Sequence, residues 1–125
     1  MLIIPEDPRD PTSSASLIVA NAGDSRSVLS QGAKAVALSH DHKPNRPIER
    51  QRIQKAGSFI NAEGRVDGNL NLSRAIGDLN YKRNGRLSLK EQAITAFPDI
   101  KVQKLNSKCN FVIMGCDGIW ESHTN

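Results

Sequence analysis

Short apolar runs separated by turn residues dominate the first part of the chain. Ser16-Leu17-Ile18-Val19-Ala20-Asn21 is one such run, closed by Ala22-Gly23-Asp24-Ser25. Arg26-Ser27-Val28-Leu29-Ser30 resumes up to a turn at Gln31-Gly32, and Lys34-Ala35-Val36-Ala37-Leu38 forms a third run. Runs of this length predict a meander of strands. Ahead of them, Pro5 to Ser14 is rich in Pro, Asp and Ser, so residues 1–15 read as a lead-in loop.

Ser39 to Pro47 holds two prolines among polar residues and reads as a loop. Ile48 to Ala56 then predicts a helix with Ile53 and Ala56 on roughly one side, and Gly57 stands where a helix C-terminus favours glycine. Ser58 to Asn61 reads as a short strand, with turns at Glu63-Gly64 and Asp67-Gly68 and renewed alternation over Asn69 to Leu72. Leu79 to Gln92 has no convincing period and reads as a long surface loop.

Ala93 to Phe97 predicts a strand stopped by Pro98, and Ile100 to Leu105 another, with Ile100, Val102 and Lys104 on one face. Asn106-Ser107-Lys108 turns the chain. Phe111 to Cys116 is continuously apolar, the pattern of a strand covered on both faces. The elements add up to a mostly antiparallel β protein with one short helix.

Composition narrows the class. With 125 residues, 38% hydrophobic and 24% charged, the chain is globular and sized for one domain or part of one. The net charge of +4 is carried partly by clusters around Arg46 to Lys55 and Lys82 to Arg86. Both clusters are interrupted and lack interleaved aromatics, so a solvated face explains them better than nucleic-acid binding, and no nucleic-acid partner is expected. Cys109 and Cys116 should face opposite sides of one strand, which argues against a disulfide and for a reducing, cytoplasmic or nuclear location. The apolar start Met1 to Ile4 is too short for a signal sequence, and no membrane partner is expected.

The chemistry concentrates in a few carboxylates. Asp117 follows the apolar strand and precedes Gly118, which would hold its carboxylate rigidly at a sheet rim; the alternative is an ordinary Asp-Gly turn. Asp24 ends the first apolar run in a similar turn, and Glu121 follows Asp117 at helical spacing. Convergent carboxylates suit Mg²⁺ or Mn²⁺, whereas zinc favours His or Cys. The His40 and His42 pair has no third ligand beside it and reads as surface loop. No Ser-His-Asp or Cys-His constellation appears.

Six stretches occur in an order that resembles the metal-dependent protein serine/threonine phosphatases of the PPM, or type 2C, family. They are Asn21 to Arg26, Asp41 to Pro44, Glu49 to Gly57, Arg65 to Leu70, Ser73 to Asp78 and Cys116 to Glu121. The resemblance implies an α+β fold, part of a β-sandwich of mostly antiparallel strands with flanking helices. Residues 16–125 would be the central to C-terminal part of one such domain, incomplete at both ends. It also implies two Mg²⁺ or Mn²⁺ ions that activate a water against phosphoserine or phosphothreonine in phosphoprotein substrates. Carried over by motif, Asp117 is a ligand of the catalytic metals, and Asp24 and Glu121 belong to a third, weaker metal position; the family often has Asp where Glu121 stands. Arg26, Arg74 and Asp78 match family positions and are assigned structural roles.

The departures bear on activity. The family's Asp-Gly-His-Gly-Gly motif, whose aspartate bridges both metals, has no counterpart, because Asp67-Gly68 is followed by Asn69 and Asp117-Gly118 by Ile119. The phosphate-gripping arginine upstream of that motif and the late Asp-Asn ligand pair are also not found. No catalytic set is complete here, so the expectation is little or no activity from this chain alone. A non-catalytic, pseudophosphatase-like binding module is the alternative. Omission of outer strands would leave sheet edges and apolar faces exposed.

Overall fold

The computed structural model describes residues 1–10 and 13–125. The described chain falls into two compact units: Met1–Asn21, Ser25–His40 and Asp99–Asn125 form the first, and Ala22–Asp24 with Asp41–Pro98 the second.

The first unit is built from strands β1 (Leu2–Pro5), β2 (Ala15–Asn21), β3 (Arg26–Gln31), β4 (Lys34–Ala37), β5 (Asp99–Lys104) and β6 (Cys109–Gly115), followed by the short helix α2 (Asp117–Trp120). Two three-stranded antiparallel sheets result, ordered β1-β2-β5 and β4-β3-β6. Alternation in β2 buries Leu17 and Val19 on one face. These pack with Leu29 of β3 and with Leu38, and Val36, Leu105, Cys109 and Val112 close the cluster. Contacts from both sheets thus make one apolar layer between them.

Three sequence expectations change here. β2 and β3 follow one another in the chain but lie in different sheets, so the meander is interrupted between them; of the three runs, β3 and β4 pair as a hairpin, across Gly32 and Ala33, both at positive φ as a two-residue primed turn requires. Residues 2–5, read as lead-in, are a strand because Leu2 to Pro5 pair with Ile18 to Ala15 of β2. The part of that lead-in at residues 11 and 12 lies outside the described residues. β6, read as covered on both faces, is an edge strand with Phe111 57% and Ile113 50% exposed. A continuous apolar run records the potential for two-sided cover, not its presence.

The second unit holds helix α1 (Pro47–Lys55), the short 3₁₀ turn Leu79–Tyr81 and irregular segments. Proline at the start of α1 presets its φ and spares a donor the helix would leave unpaired. Glu49 and Ile53, one turn apart, face inward, and Gly57 at φ 93 accepts the left-handed geometry just past the helix end. Ile53, Val66 and Ile94 form the core, with Ile60, Leu70, Ala75 and Tyr81 packed around it.

The expected strands at Ser58 to Asn61 and Ala93 to Phe97 reduce to isolated bridges, Ile60 with Val66 and Arg74 with Thr95. Ala93, Ile94 and Thr95 are buried all the same. Their apolar pattern reports burial, and side-chain hydrogen bonds such as Thr95 Oγ1 to Leu89 O, at 2.8 Å, replace a ladder. No helix among the described residues is long and apolar enough to cross a membrane.

Candidate functional site

Asp117 and Glu121 belong to the first unit. Gly115 ends β6 and Asp117 opens α2, so the carboxylate stands at a strand end. The turn is clamped from inside: Trp120 Nε1 donates to Gly115 O at 2.7 Å, and Glu121 N donates to Asp117 O at 2.8 Å. The Arg26 guanidinium lies 5.1 Å from the Trp120 ring centroid, a cation–π contact that ties β3 to α2. Asp117 is half-buried and Glu121 exposed, and within this unit no described residue makes a hydrogen bond or ion pair with either carboxylate.

Asp24 belongs to the second unit, in a turn set by Gly23 at φ 145, a backbone conformation that disfavours a side chain. Its carboxylate is 13% exposed and accepts a hydrogen bond from Lys43 Nζ. No motif or spacing in the sequence pointed to that partner.

His42 corrects the surface-loop reading of the histidine pair, because it is fully buried. Its backbone N donates to Gly23 O at 3.0 Å, and its Nδ1 lies 3.2 Å from Gly23 N and 3.1 Å from Gly23 O, so either tautomer finds a partner. His42 O in turn accepts from Ser73 N at 2.8 Å. The residue fastens the Asp24 turn to the unit's interior, and a zinc role is not needed to explain it.

Behind this turn sits a charged cluster that motif reading left unplaced. Glu49 is fully buried; Arg74 Nη2 donates to its Oε1 at 2.6 Å, Arg52 Nη1 to its Oε2 at 2.6 Å, and Ser73 Oγ lies 2.7 Å from Oε2. Burial pushes the Glu49 carboxyl up, but hydrogen bonds from Arg74, Ser73 and Arg52 outweigh it and hold the group at about 2. Arg52 also donates to Gln92 O at 3.1 Å and Ser73 O at 2.5 Å, and Arg74 to Phe97 O at 3.1 Å. Arg52 therefore turns inward from the solvated basic face read over Arg46 to Lys55. Its partner could have been suspected from Glu49 and Ile53 sharing one helix face. Arg74 is thus tied into the unit's interior, and Asp78, at φ 48, opens the 3₁₀ turn.

Asp24, Asp117 and Glu121 are hard oxygen donors of the type Mg²⁺ or Mn²⁺ takes. As a set they are too few: among the described residues no group of three or more His, Cys, Asp or Glu side chains is arranged to hold a metal ion. The donor type fits the ions implied by the family resemblance and the donor number does not.

Comparison with known proteins agrees with the motif order. The family model Protein phosphatase 2C matches residues 9–125. Over 106 residues the chain is 57% identical to Protein phosphatase ppm-1.G of Caenorhabditis elegans, covering 85% of this chain and 21% of that protein. It is 53% identical to Probable protein phosphatase 2C 6 of Paramecium tetraurelia, covering 85% of this chain and 36% of the relative. The crystal structure of a phosphatase from a pathogenic strain of Toxoplasma gondii superposes with a TM-score of 0.80 at 40% identity, covering 86% of this chain and 33% of that one. The chain thus spans about a third or less of these relatives. With two antiparallel sheets, few helices and a match running through nearly all its residues, the chain belongs to the protein phosphatase 2C family.

Proposed function

We propose that this chain is part of the catalytic domain of a metal-dependent protein serine/threonine phosphatase that hydrolyses phosphoserine and phosphothreonine in phosphoprotein substrates. The observation that carries this reading is the family match over residues 9–125, which runs through all six ordered motifs.

In this reading Asp117 is a ligand of the catalytic metals, and Asp24 and Glu121 serve a weaker metal position. Mg²⁺ or Mn²⁺, when bound, supplies an activated water and neutralises phosphate charge. The part played by this chain's own residues is positional. Trp120, Gly115 and Arg26 hold the Asp117 turn, and His42 and Ser73 hold the Asp24 turn. Further carboxylates from outside these residues would complete the centre, so this chain alone has little or no activity.

A second reading, a non-catalytic module that binds phosphoproteins, is favoured by one observation: the donors among the described residues do not assemble into a metal-holding group. A segment exchange separates the two. Residues 17–121 are placed in the C. elegans relative over the matching stretch, and phosphate release from a phosphothreonine peptide is followed with and without Mn²⁺. Retained Mn²⁺-dependent release supports the phosphatase reading; a folded chimera without activity supports the binding module.

A further inference from the structure

Ser88 stands in a surface segment of the second unit that is tied together by its own side chains. Its Oγ donates to Glu91 Oε2 at 2.7 Å and its backbone N to the same oxygen at 3.2 Å, while Glu91 N donates to Ser88 O at 3.0 Å. Ser-x-x-Glu is the spacing that opens helices, yet no helix follows, so this closed ring caps nothing. Ser88 is exposed, and none of residues 82–91 is buried.

Two arginines precede the serine, five and two residues ahead of it. Arg83 and Arg86 are exposed, and among the described residues neither guanidinium makes a hydrogen bond or an ion pair. They flank a turn in which Leu87 N donates to Asn84 O at 3.1 Å and Arg86 N to Asn84 Oδ1 at 3.1 Å. Gln92, 3% exposed, holds that turn from beneath, its Nε2 donating to Asn84 O at 2.8 Å and to Leu87 O at 3.1 Å. Opening the segment breaks these surface hydrogen bonds and leaves the Ile53, Val66 and Ile94 core covered.

Unpaired cations ahead of an exposed hydroxyl are a charge pattern by which a protein kinase with acidic subsites reads its substrate. We propose that Ser88 is a phosphorylation site for an arginine-directed protein kinase, and that the phosphate breaks the Ser88–Glu91 ring. Ser88 Oγ bonds to the γ-phosphorus of ATP, the bond from that phosphorus to the bridging oxygen breaks to release ADP, and the hydroxyl proton passes to a base of the kinase. The product has lost the donor that Glu91 accepted and carries a charge of about −1.5 to −2 beside a carboxylate. Hydrogen bonds from Ser88 hold the Glu91 carboxyl below its ordinary range, so it is ionised when the phosphate arrives, and like charges separate. Lys55, 3.7 Å from Glu91 Oε1, remains as its partner. Neither half of the proposal depends on metal binding or on phosphatase activity.

The test is incubation of the 125-residue protein with the catalytic subunit of an arginine-directed kinase and Mg²⁺-ATP, with the phosphate located by tandem mass spectrometry. Ser88 should be the principal site, Ser88→Ala should lose it, and Arg83→Ala combined with Arg86→Ala should slow the initial rate about tenfold or more. No phosphate at Ser88, or a parental rate in the double-arginine variant, overturns the kinase assignment.

A carbon-13 titration of the Glu91 carboxyl reads the second half. Its midpoint should move upward on phosphorylation, and upward by less in Ser88→Ala, which loses the donor without adding charge. Phosphorylated Ser88 with an unmoved Glu91 titration overturns the loss of the ring.

Discussion

The Glu49 carboxylate and the Arg74 guanidinium meet at 2.6 Å in the second unit, with no part of the Glu49 side chain exposed. Arg52 completes the cluster from the next turn of α1. Removing the acid leaves two guanidinium groups buried without their counter-charge. Glu49→Ala should destabilise the protein by about 3–5 kcal/mol, measured as a shift of the urea midpoint.

The same cluster makes stability depend on pH. Glu49 is held at about 2 in the fold against an ordinary 4.5, so its contribution is fully present above pH 4.5 and is lost as pH falls toward 2. The urea midpoint should therefore drop through that window. Glu49→Gln should start lower and lack this component of the drop.

Gly64 is locked by its surroundings. It adopts φ 79, and a Cβ built there would lie 2.7 Å from Asn45 Nδ2. Gly64→Ala should cost more than about 1 kcal/mol in thermal or urea unfolding, because left-handed strain and the displaced amide add.

The turn that carries Asp117 depends on close packing beneath it. A Cβ at Gly115 would meet Ile119 Cβ at 3.1 Å and Trp120 Nε1 at 3.3 Å, so Gly115→Ala must push α2 outward. The expected result is amide chemical-shift change concentrated at residues 116–121, with the rest of the spectrum unmoved. Trp120→Phe, which loses the 2.7 Å hydrogen bond to Gly115 O, should cost about 1 kcal/mol.

These relationships mark what the sequence could and could not carry. Strands β2 to β6, α1 and its Gly57 terminus were legible because each writes a local period or a local conformational demand. The separation of β2 and β3 into different sheets was not, since pairing partners are set by packing between distant segments. Neither was strand β1, whose pairing with β2 depends on a register that four apolar residues do not specify. For the candidate site, motif order singled out Asp117, Asp24 and Glu121 as the proposed metal-associated carboxylates. The burial of His42 and the pairing of Lys43 with Asp24 escaped because polar residues in a proline-bearing loop look alike whether solvated or enclosed.

Among the described residues no three carboxylate, His or Cys side chains are grouped to hold a metal ion. Incubated with Mn²⁺ and a phosphothreonine peptide, the 125-residue protein should release phosphate at the rate of Mn²⁺ in buffer. Metal-dependent turnover above that background would show that the ligand set is sufficient after all.

The most direct measurement of the central claim is the effect of Asp117→Asn on Mn²⁺-dependent phosphothreonine-peptide hydrolysis by the chimera carrying residues 17–121 in the C. elegans relative. Loss of a catalytic metal ligand removes several kcal/mol of transition-state stabilisation, so kcat/KM should fall by about a hundredfold or more, with the melting temperature nearly unchanged. A chimera whose activity survives Asp117→Asn within about threefold would contradict the assignment of Asp117 as a catalytic metal ligand.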